Sequence, residues 1–441
     1  MRYKPYPKYK KSGVEWLGDV PEGWEIWKLS HAFNLIGSGT TPTSTNKSYY
    51  NGHIPWVTTG ELREKIIFNT KKMLTTKAIQ ELSSLKLFPK GSILIAMYGA
   101  TIGRLGKLGI EATTNQACCV ITSSSKILND YLYYWLLGYK TEIINLGYGG
   151  GQPNISQDTI SNLKVSTPNI EEQKNIVIYL DQKTKKIDTL IEKQQTLIKL
   201  LKEKRQALIS HAVTKGLDDS VAMKDSGVEW LGEVPEGWKI SKFSYLSIVV
   251  RGGSPRPAGD PSLFNGKFSP WVTVAEITRD KTPYIVKTET LLTKKGSKQC
   301  RVFKKGTLLI SNSGATLGVP KILTINANAN DGVVGFENLS KNLDIMFSYY
   351  YLFSLTENLR ERMNQGSGQP NLNTDIIKSL QIPLPPLKEQ KNIAHYLDQK
   401  TQKIDTLINK ATQAIELLKE RRTALISAVV TGKVDVRCTL C

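Results

Sequence analysis

Long apolar runs are missing from this chain. Stretches such as Ser92–Met97 are among the longest, far short of the roughly 18–20 residues a membrane-spanning helix needs. The basic start, MRYKPYPKYKKSG, has no apolar run behind it and does not read as a secretory leader. The expectation is a cytoplasmic protein with no membrane partner. Cysteine is also scarce: Cys118, Cys119, Cys300, Cys438 and Cys441 are five, an odd number at irregular spacing, which argues against a disulfide framework. Cys438 and Cys441 make a lone CxxC without the two further ligands zinc requires, so residues 435–441 read as an inert tail with no metal. The four histidines, His31, His53, His211 and His395, are scattered and form no recognisable triad. There is no GxxxxGK[ST] phosphate loop and no Asn-Pro-Pro-aromatic signature of base methylation. Gly37-Ser38-Gly39 is a lone GxG followed by Thr and Pro. Nothing here supplies a cofactor site, and the chain reads as non-catalytic.

Acidic residues are few as well. Asp and Glu total 39 against 59 Lys and Arg, a net charge of +20. Such a balance favours a polyanion, nucleic acid above all. The 441 residues are 40% hydrophobic, enough for packed cores and, at ~150 residues per domain, about three units.

What the sequence does contain is a repeat. Ser12–Trp24 (SGVEWLGDVPEGW) returns as Ser226–Trp238 (SGVEWLGEVPEGW). PWVT at Pro55 returns at Pro270, GATIG at Gly99 as GATLG at Gly314, and GGGQPNI at Gly149 as GSGQPNL at Gly366. YLDQKTKKIDTLI at Tyr179 returns as YLDQKTQKIDTLI at Tyr396. The offsets run from 214 to 217 and keep order. This is a two-part module used twice.

Each module is a globular part followed by a helix. From Ile170 to Lys215 there is no Pro or Gly; Pro168 precedes the stretch and Gly216 follows it, as start and stop signals should. Leu180, Ile187, Leu201 and Leu208 share one heptad position, and Val177, Ile191, Ile198 and Ala212 the facing one, with Thr184, Gln194 and Arg205 interrupting. Leu397, Ile404, Ala411, Leu418 and Leu425 repeat the seam between Pro385–Pro386 and Gly432. This is a coiled-coil pattern in helices of roughly 65–70 Å at ~1.5 Å per residue. The globular parts carry short apolar runs bounded by Gly, Asn and Pro, the grammar of strands. Asp130–Leu137 and Asp344–Phe353 read as buried helices, and Trp16, Trp24, Trp230 and Trp238 as core. The expected fold class is α+β: two mixed α/β domains separated by two long helices that pair as an antiparallel coiled coil with a pseudo-two-fold axis. The divisions are 1–167, 168–216, 217–384, 385–434 and the tail. Two domains in opposed orientation suit the dyad of duplex DNA.

These residues resemble the specificity (S) subunits of type I restriction–modification enzymes. The opener SGVEWLG-x-VPEGW, the motif G-x-GQPN, the helix start P-x-(I/L)-x-EQ-x-I-x-x-YLD and the ALI helix end each occur twice, over nearly the whole chain. The resemblance implies two target recognition domains, each reading half of a bipartite double-stranded DNA sequence. It also implies docking of methyltransferase (M) subunits and of endonuclease–translocase (R) subunits. A stand-alone DNA-modifying enzyme and a coiled-coil scaffold without DNA readout are the competing classes. The missing cofactor motifs count against the first and the charge against the second.

The duplication also sorts residues. If the halves read different bases, matched positions belong to scaffold, phosphate contact or partner contact, and mismatched ones to base readout. The matched candidates for the DNA face are Thr101, Asn115, Gln152 and Asn154 in the first half, with Thr316, Asn330, Gln369 and Asn371 in the second; Tyr98 and Ser313, which differ, are candidates just before the glycine runs. For the Gly99–Thr101 and Gly314–Thr316 runs, a phosphate cradle and a tight turn stand level. Among mismatched positions, arginine suits guanine O6/N7: Arg63 and Arg104 in the first half, Arg251, Arg256 and Arg279 in the second. Thr40 and Thr41 stand where the second half has the Arg251–Pro257 loop with Ser254.

Overall fold

A computed structural model describes residues 4–147, 154–314, 316–364 and 371–437, with side chains through 361 in the third segment. In chain order the first half contains β1 (Ile36–Ser38), β2 (Tyr50–Val57), β3 (Lys65–Ile67), β4 (Lys72–Leu74), β5 (Ile93–Ala96), β6 (Leu105–Leu108), β7 (Thr113–Thr114) and β8 (Cys118–Ile121). Helices α1 (Asn129–Gly138) and α2 (Ile170–Lys215) follow. The second half contains β9 (Ile248–Arg251), β10 (Ser269–Val272), β11 (Tyr284–Ile285), β12 (Leu291–Leu292), β13 (Val302–Phe303), β14 (Leu308–Ser311), β15 (Pro320–Leu323), β16 (Ala327–Ala329) and β17 (Val333–Glu337). It closes with α3 (Ile345–Asn364) and α4 (Leu387–Val430). Among the described residues no helix is long and apolar enough to cross a membrane.

The described chain divides into two compact units. One is built from residues up to Gln195 and from Thr412 onward, the other from Thr196–Ala411. Each unit therefore holds one globular lobe, the first half of the helix that follows it, and the second half of the other long helix.

In the first unit a five-stranded sheet runs β1-β8-β5-β6-β3, with β7-β2-β4 as a smaller sheet. All pairs in the larger sheet are antiparallel except β3–β6. Successive side chains of a strand face opposite ways, and here both faces are covered. Ile93, Ile95, Cys119 and Ile121 enter the core that contains α1 and the long helices. Leu94, Ala96, Cys118 and Val120 enter a second core with Val57, Leu62 and Phe88. That is why ILIA and CCVI read as continuous apolar runs rather than alternating ones. The second unit repeats the plan, with order β9-β17-β14-β15-β11 and a four-stranded sheet β12-β10-β16-β13. Its two cores divide Leu308 and Ile310 from Leu309 in the same way.

The aromatic run of α1 is core: Tyr131, Tyr134 and Trp135 are buried. The Tyr131 hydroxyl donates to the Ser166 carbonyl at 2.8 Å, and Trp135 Nε1 to Ser166 Oγ at 3.2 Å. Trp24 and Trp238 are buried, while Trp16 and Trp230 pack half-buried against the same cores.

The long helices are antiparallel within each unit. In the first, Trp24 Nε1 donates to Glu172 Oε1 at 3.3 Å, and a Cβ at Gly432 would lie 3.5 Å from the same indole. Sixteen residues further along α2, Asp188 accepts from Arg422 Nε at 2.9 Å. In the second unit Trp238 Nε1 donates to Glu389 at 3.1 Å beside Gly216, and Arg205 pairs with Asp405 at 3.2 Å. Asp188 and Asp405 are matched positions of the repeat, as are Arg205 and Arg422. Each unit thus makes the same aspartate–arginine bond with the two helices exchanged.

The seam is shared between helix and lobe. Leu180, Ile187, Leu397, Ile404 and Leu425 are buried; Leu201, Leu208 and Leu418 are half-buried. Leu180 and Ile187 lie in one cluster with Tyr131 of the lobe and Leu425 of α4. The heptad interruptions have causes. Thr184 is buried, donates to the Leu180 carbonyl at 2.7 Å and sits 3.4 Å from the Tyr134 hydroxyl; Arg205 carries the ion pair with Asp405. Tyr134 itself donates to Asp181 at 2.6 Å, and Tyr350 to Asp398 at the same distance. Burial, then those hydrogen bonds, hold both phenols protonated far above the ordinary range.

The expectation of an inert tail is corrected. Val434 and Val436 are buried in the first unit's core. The Asp435 N–H donates to the Lys4 carbonyl at 2.9 Å, and Arg437 stacks on the Tyr6 ring while pairing with Asp435. The short Val-Asp-Val alternation carried this signal. Cys438 and Cys441 lie outside the described residues.

A buried glutamine fixes the root of each long helix. Gln173 accepts from the Leu128 N–H at 2.8 Å and donates to the Lys126 and Pro168 carbonyls at 3.0 and 2.9 Å. Gln390 accepts from the Asp344 N–H at 2.8 Å and donates to Asn342 and Pro385 at 2.9 and 2.8 Å. Gln173→Ala strands one buried donor and two acceptors, and is expected to cost about 2–4 kcal/mol. Gln390→Ala should cost as much. Urea denaturation of each variant reads this directly; an unchanged midpoint in both would mean the clamp contributes nothing.

Candidate nucleic-acid interface

The turn from β5 to β6 is built by glycine. Gly99 and Gly103 take φ of +75° and +70°, and Gly314 and Gly318 of +74° and +84°, a region other residues rarely occupy. The amides that follow each run are spent internally. Ile102, Gly103 and Arg104 N–H groups donate to Gly99, Ala96 and Thr101 carbonyls. In the second unit Leu317 and Gly318 donate to Gly314 and Ser311, and Val319 to Ser311 Oγ. These bonds close the turn and leave the amides of Gly99 and Thr101 out of it.

Around it the first unit gathers several expected residues. The Tyr98 hydroxyl donates to the Gln116 carbonyl at 2.7 Å, and Thr41 Oγ1 donates to Gln116 Oε1 at 2.5 Å. The Gly39 N–H donates to Thr114 Oγ1 at 3.0 Å, tying the Thr40–Thr41 loop to the same end. Thr40 contributes its carbonyl, which accepts from Trp56 Nε1 at 3.2 Å. The Tyr98 backbone bridges Asn154, and Thr101 Oγ1 returns to the Tyr98 carbonyl at 3.4 Å. Asn115 has its Oδ1 buried without a hydrogen-bond partner. Gln152 and Gln369 lie outside the described residues.

The second unit assembles the same end from other side chains. Arg251 Nε donates to the Asp331 carbonyl, and Ser254 Oγ donates to Asp331 Oδ1 at 2.8 Å. Ser313 bridges Asn371, and the Thr316 carbonyl accepts from Ser311 Oγ at 2.6 Å. Asn330 repeats the unpartnered buried Oδ1 of Asn115. Gln116 and Asp331, the centres of the two networks, match in the repeat but differ in charge.

The arginines divide. Arg104 is half-buried and Arg256 exposed, and neither guanidinium has a hydrogen-bond or ion-pair partner among the described residues. The Arg256 main-chain N–H is held by Gln299 Oε1 at 2.8 Å, which fixes the loop and leaves the side chain free. Arg63 and Arg279, expected among mismatched readers, are in fact matched: Arg63-Glu64-Lys65 returns as Arg279-Asp280-Lys281 once one inserted residue is allowed. Both fold back onto their own loops. Arg63 Nε donates to the Gly60 carbonyl at 3.2 Å. Arg279 is gripped by Glu276 and by Glu289 at 3.3 Å. By the mismatch criterion neither encodes a difference between the halves.

Other structural side chains escaped the sequence reading. Glu61 accepts from the Thr58 and Lys71 N–H groups, and buried Glu276 accepts from the Glu289 N–H, so one matched carboxylate organises each loop. Lys321 is buried in β15 and donates to Asp280 and to the Thr282 carbonyl. Burial alone would raise the Asp280 carboxyl, but the Lys321 and Thr282 hydrogen bonds outweigh it and hold it below the usual range. The first half has Gly106 where Lys321 stands, so the repeat gave no hint. Burial pushes the Cys118 thiol up, and Cys119 to about 12, so neither is a nucleophile at neutral pH.

Removing Arg279 leaves Glu276 buried and uncompensated. Arg279→Ala should therefore cost about 3 kcal/mol of stability, whereas Arg104→Ala should stay within ~0.5 kcal/mol. Equal thermal midpoints for the two variants would contradict this division of roles.

Comparison with known proteins adds to this geometry. The profile of the family described as type I restriction modification DNA specificity domain matches twice, over residues 21–200 and 235–417. The MjaVIII type I restriction enzyme specificity subunit of Methanocaldococcus jannaschii is 26% identical over 436 residues, covering 95% of this chain and 94% of that one. The EcoR124I/EcoR124II specificity subunit of Escherichia coli is 28% identical over 196 residues, 43% of this chain and 46% of its own. Among solved structures, a chain from a study of type I R-M complex assembly and conformational transition superposes with a TM-score of 0.75 at 18% identity, covering 93% of this chain and 98% of that one. The HsdS subunit of Thermoanaerobacter tengcongensis gives 0.54, also at 18%, over 94% and 98%.

Proposed function

The chain belongs to the type I restriction modification DNA specificity domain family, and from that premise we propose that it is the non-catalytic subunit that reads a bipartite duplex target. Residues 1–167 and 217–384 are the two target recognition domains. Residues 168–216 and 385–434 are the helices that set the spacing of the half-sites. The observation that carries this reading is the pairing of a matched frame with mismatched side chains. One β-turn–β end recurs in both lobes, furnished with Thr41, Gln116 and Arg104 in one and with Arg251, Ser254, Arg256 and Asp331 in the other. Val319 stands where Arg104 does. Phosphate contacts position a protein on DNA and base contacts specify it; a common frame with private side chains supplies both.

Methyltransferase and endonuclease–translocase subunits are the protein partners, and the cytoplasm the compartment. Methyltransferase docking is supported by apolar exposure that repeats. Leu190 and Leu417 are 47% and 65% exposed in the first unit. Their matched positions, Leu407 and Leu200, are 50% and 55% exposed in the second. Two equivalent patches suit two copies of one partner.

Arg104→Ala should relax one base position of one half-site, losing about 1–3 kcal/mol of discrimination for a bidentate guanine contact. Gln152→Ala or Gln369→Ala, at matched positions, should weaken binding or assembly without altering the preferred bases. Mapping methylated sites in cells carrying each variant tests both. Altered bases with Gln152→Ala and unaltered ones with Arg104→Ala would refute the assignment. Inserting one base pair between the half-sites should abolish methylation if helix length sets the spacing, and an unchanged methylation level would remove that role.

A further inference from the structure

The turn between β7 and β8 and its counterpart between β16 and β17 keep one frame and change one atom. Their main chains are held alike. The Asn115 N–H donates to the Val57 carbonyl at 3.0 Å, and the Asn330 N–H to that of Val272 at 2.9 Å. The Ala117 carbonyl accepts from the Met97 N–H, and the Gly332 carbonyl from the Asn312 N–H, both at 2.9 Å. The loop beside each turn keeps its register too. Ser38 pairs with Cys119 and Arg251 with Val334, and Cys119 and Val334 are matched positions, so Gly39 answers to Gly252 and Thr41 to Ser254. Both glycines lie against the turn: a Cβ would stand 1.8 Å from the Thr114 carbonyl oxygen at Gly39 and 2.3 Å from the Asn330 carbonyl oxygen at Gly252.

From that shared register a hydroxyl reaches the middle of each turn. Thr41 Oγ1 donates to Gln116 Oε1 at 2.5 Å, and Ser254 Oγ to Asp331 Oδ1 at 2.8 Å. Each hydroxyl fixes one oxygen of the side chain. The other end, Gln116 Nε2 or Asp331 Oδ2, has no hydrogen-bond or ion-pair partner among the described residues. Arg251 Nε binds the Asp331 main-chain carbonyl, not the carboxylate. Gln116 is exposed and Asp331 half-buried. The atom left over is therefore an N–H donor in one lobe and an acceptor in the other. Scaffold does not explain it, because the turn is already held by its backbone and by the clamped oxygen. Phosphate contact fails for Asp331, since like charges repel. A partner that met both lobes alike would find opposite polarity at one place. Base edges do differ in this way.

We infer that residues 116 and 331 are matched base-reading positions of opposite hydrogen-bond polarity, oriented by Thr41 and Ser254. In the major groove cytosine offers only its N4 amino donor, guanine and thymine offer acceptors, and adenine offers one of each. Asp331 accepts from N4 of cytosine; the guanine and thymine oxygens, and adenine N7, would face its lone pairs. Gln116 donates through Nε2 and so takes a base with an acceptor, which excludes cytosine. This rests on the proposed function and deepens it, naming the discriminating atom at one position of each half-site. Thr41 and Ser254 are positioning residues: they act through the side chain they hold.

The test is mapping of methylated sites in cells that carry the full chain with its cognate methyltransferase subunit. Gln116→Glu keeps the oxygen that Thr41 holds and turns the free donor into an acceptor. It should shift the preference at one position of one half-site toward cytosine by about ten-fold and leave the other half-site as it was. Asp331→Asn makes the reverse change and should lose a cytosine from the other half-site. Thr41→Val should blur the same position that Gln116→Glu shifts. Circular dichroism melting of all three variants should match the wild type, since each keeps the backbone bonds of the turn. Unchanged base preferences in both Gln116→Glu and Asp331→Asn would overturn the assignment while leaving the proposed function standing. So would a uniform loss of methylation with the bases unaltered, or a Thr41→Val effect at a different position. Wild-type methylation at sites that share no bipartite sequence would overturn the proposed function itself.

Discussion

Neither lobe closes its own core. The sheet of the first unit is covered by α1, but α1 leaves an open flank at Gly138, where a Cβ would lie 2.4 Å from Val430 and 3.3 Å from the Ser427 backbone. The last turns of α4 fill that flank: Leu425, Ile426, Val429 and Val430 join the cluster of Tyr131 and Trp135. In the second unit Ile209, Ala212 and Val213 from the end of α2 join the cluster of Phe347 and Tyr351. Fully burying one such side chain is worth about 1.5–3 kcal/mol, so these residues are no incidental contact. Each core is completed by the helix that began in the other half of the sequence.

That dependence explains which residues had to repeat. The glutamine at each helix root, the Trp–Glu bond beside it, the Tyr–Asp bond about two turns on and the Asp–Arg pair beyond are four polar interactions at matched positions in both units. Buried polar groups are costly when unpaired, so these networks tolerate little drift. The loops at the far end of the sheet carry no such obligation. There the repeat keeps its backbone, with positive-φ glycines at the turn, and lets the side chains go their own way.

Much of this was legible in the sequence. Order-preserving duplicates with nearly constant offset gave the module. Heptads bounded by Pro and Gly gave helices that run Ile170–Lys215 and Leu387–Val430. Runs such as ILIA and CCVI gave strands, and the structure adds that both of their faces are buried. The site was less legible, for physical reasons. An arginine looks the same in a sequence whether it awaits a guanine or neutralises a buried glutamate, and only the position of Glu276 separates Arg279 from Arg104. A single inserted residue before Arg279 hid its match with Arg63. Lys321 carries a full charge inside a strand, against every composition rule, because three oxygens of the 280–282 loop converge on it. The tail escaped notice because two valines are too few for a periodicity.

Repetition and burial together sort the chain more finely than either alone. Matched and buried positions, such as Gln173 and Gln390, hold the fold. Mismatched ones at the surface, such as half-buried Arg104 and exposed Arg256, have unpaired side chains among the described residues. Matched and exposed ones, such as Lys65 and Lys281, fall to phosphate or partner contact by the same criterion. The fourth class, mismatched and buried, is small and instructive. Met97 packs into the first core, but its counterpart Asn312 is fully buried with neither amide atom hydrogen-bonded. An unpaired buried amide costs about 1–3 kcal/mol, and it sits one residue before Ser313, next to the glycine turn of the second lobe. The duplication therefore preserved the frame strictly where the helices complete the cores. Directly beneath the glycine turn it let the interior diverge, so that even the packing under each turn belongs to one lobe only.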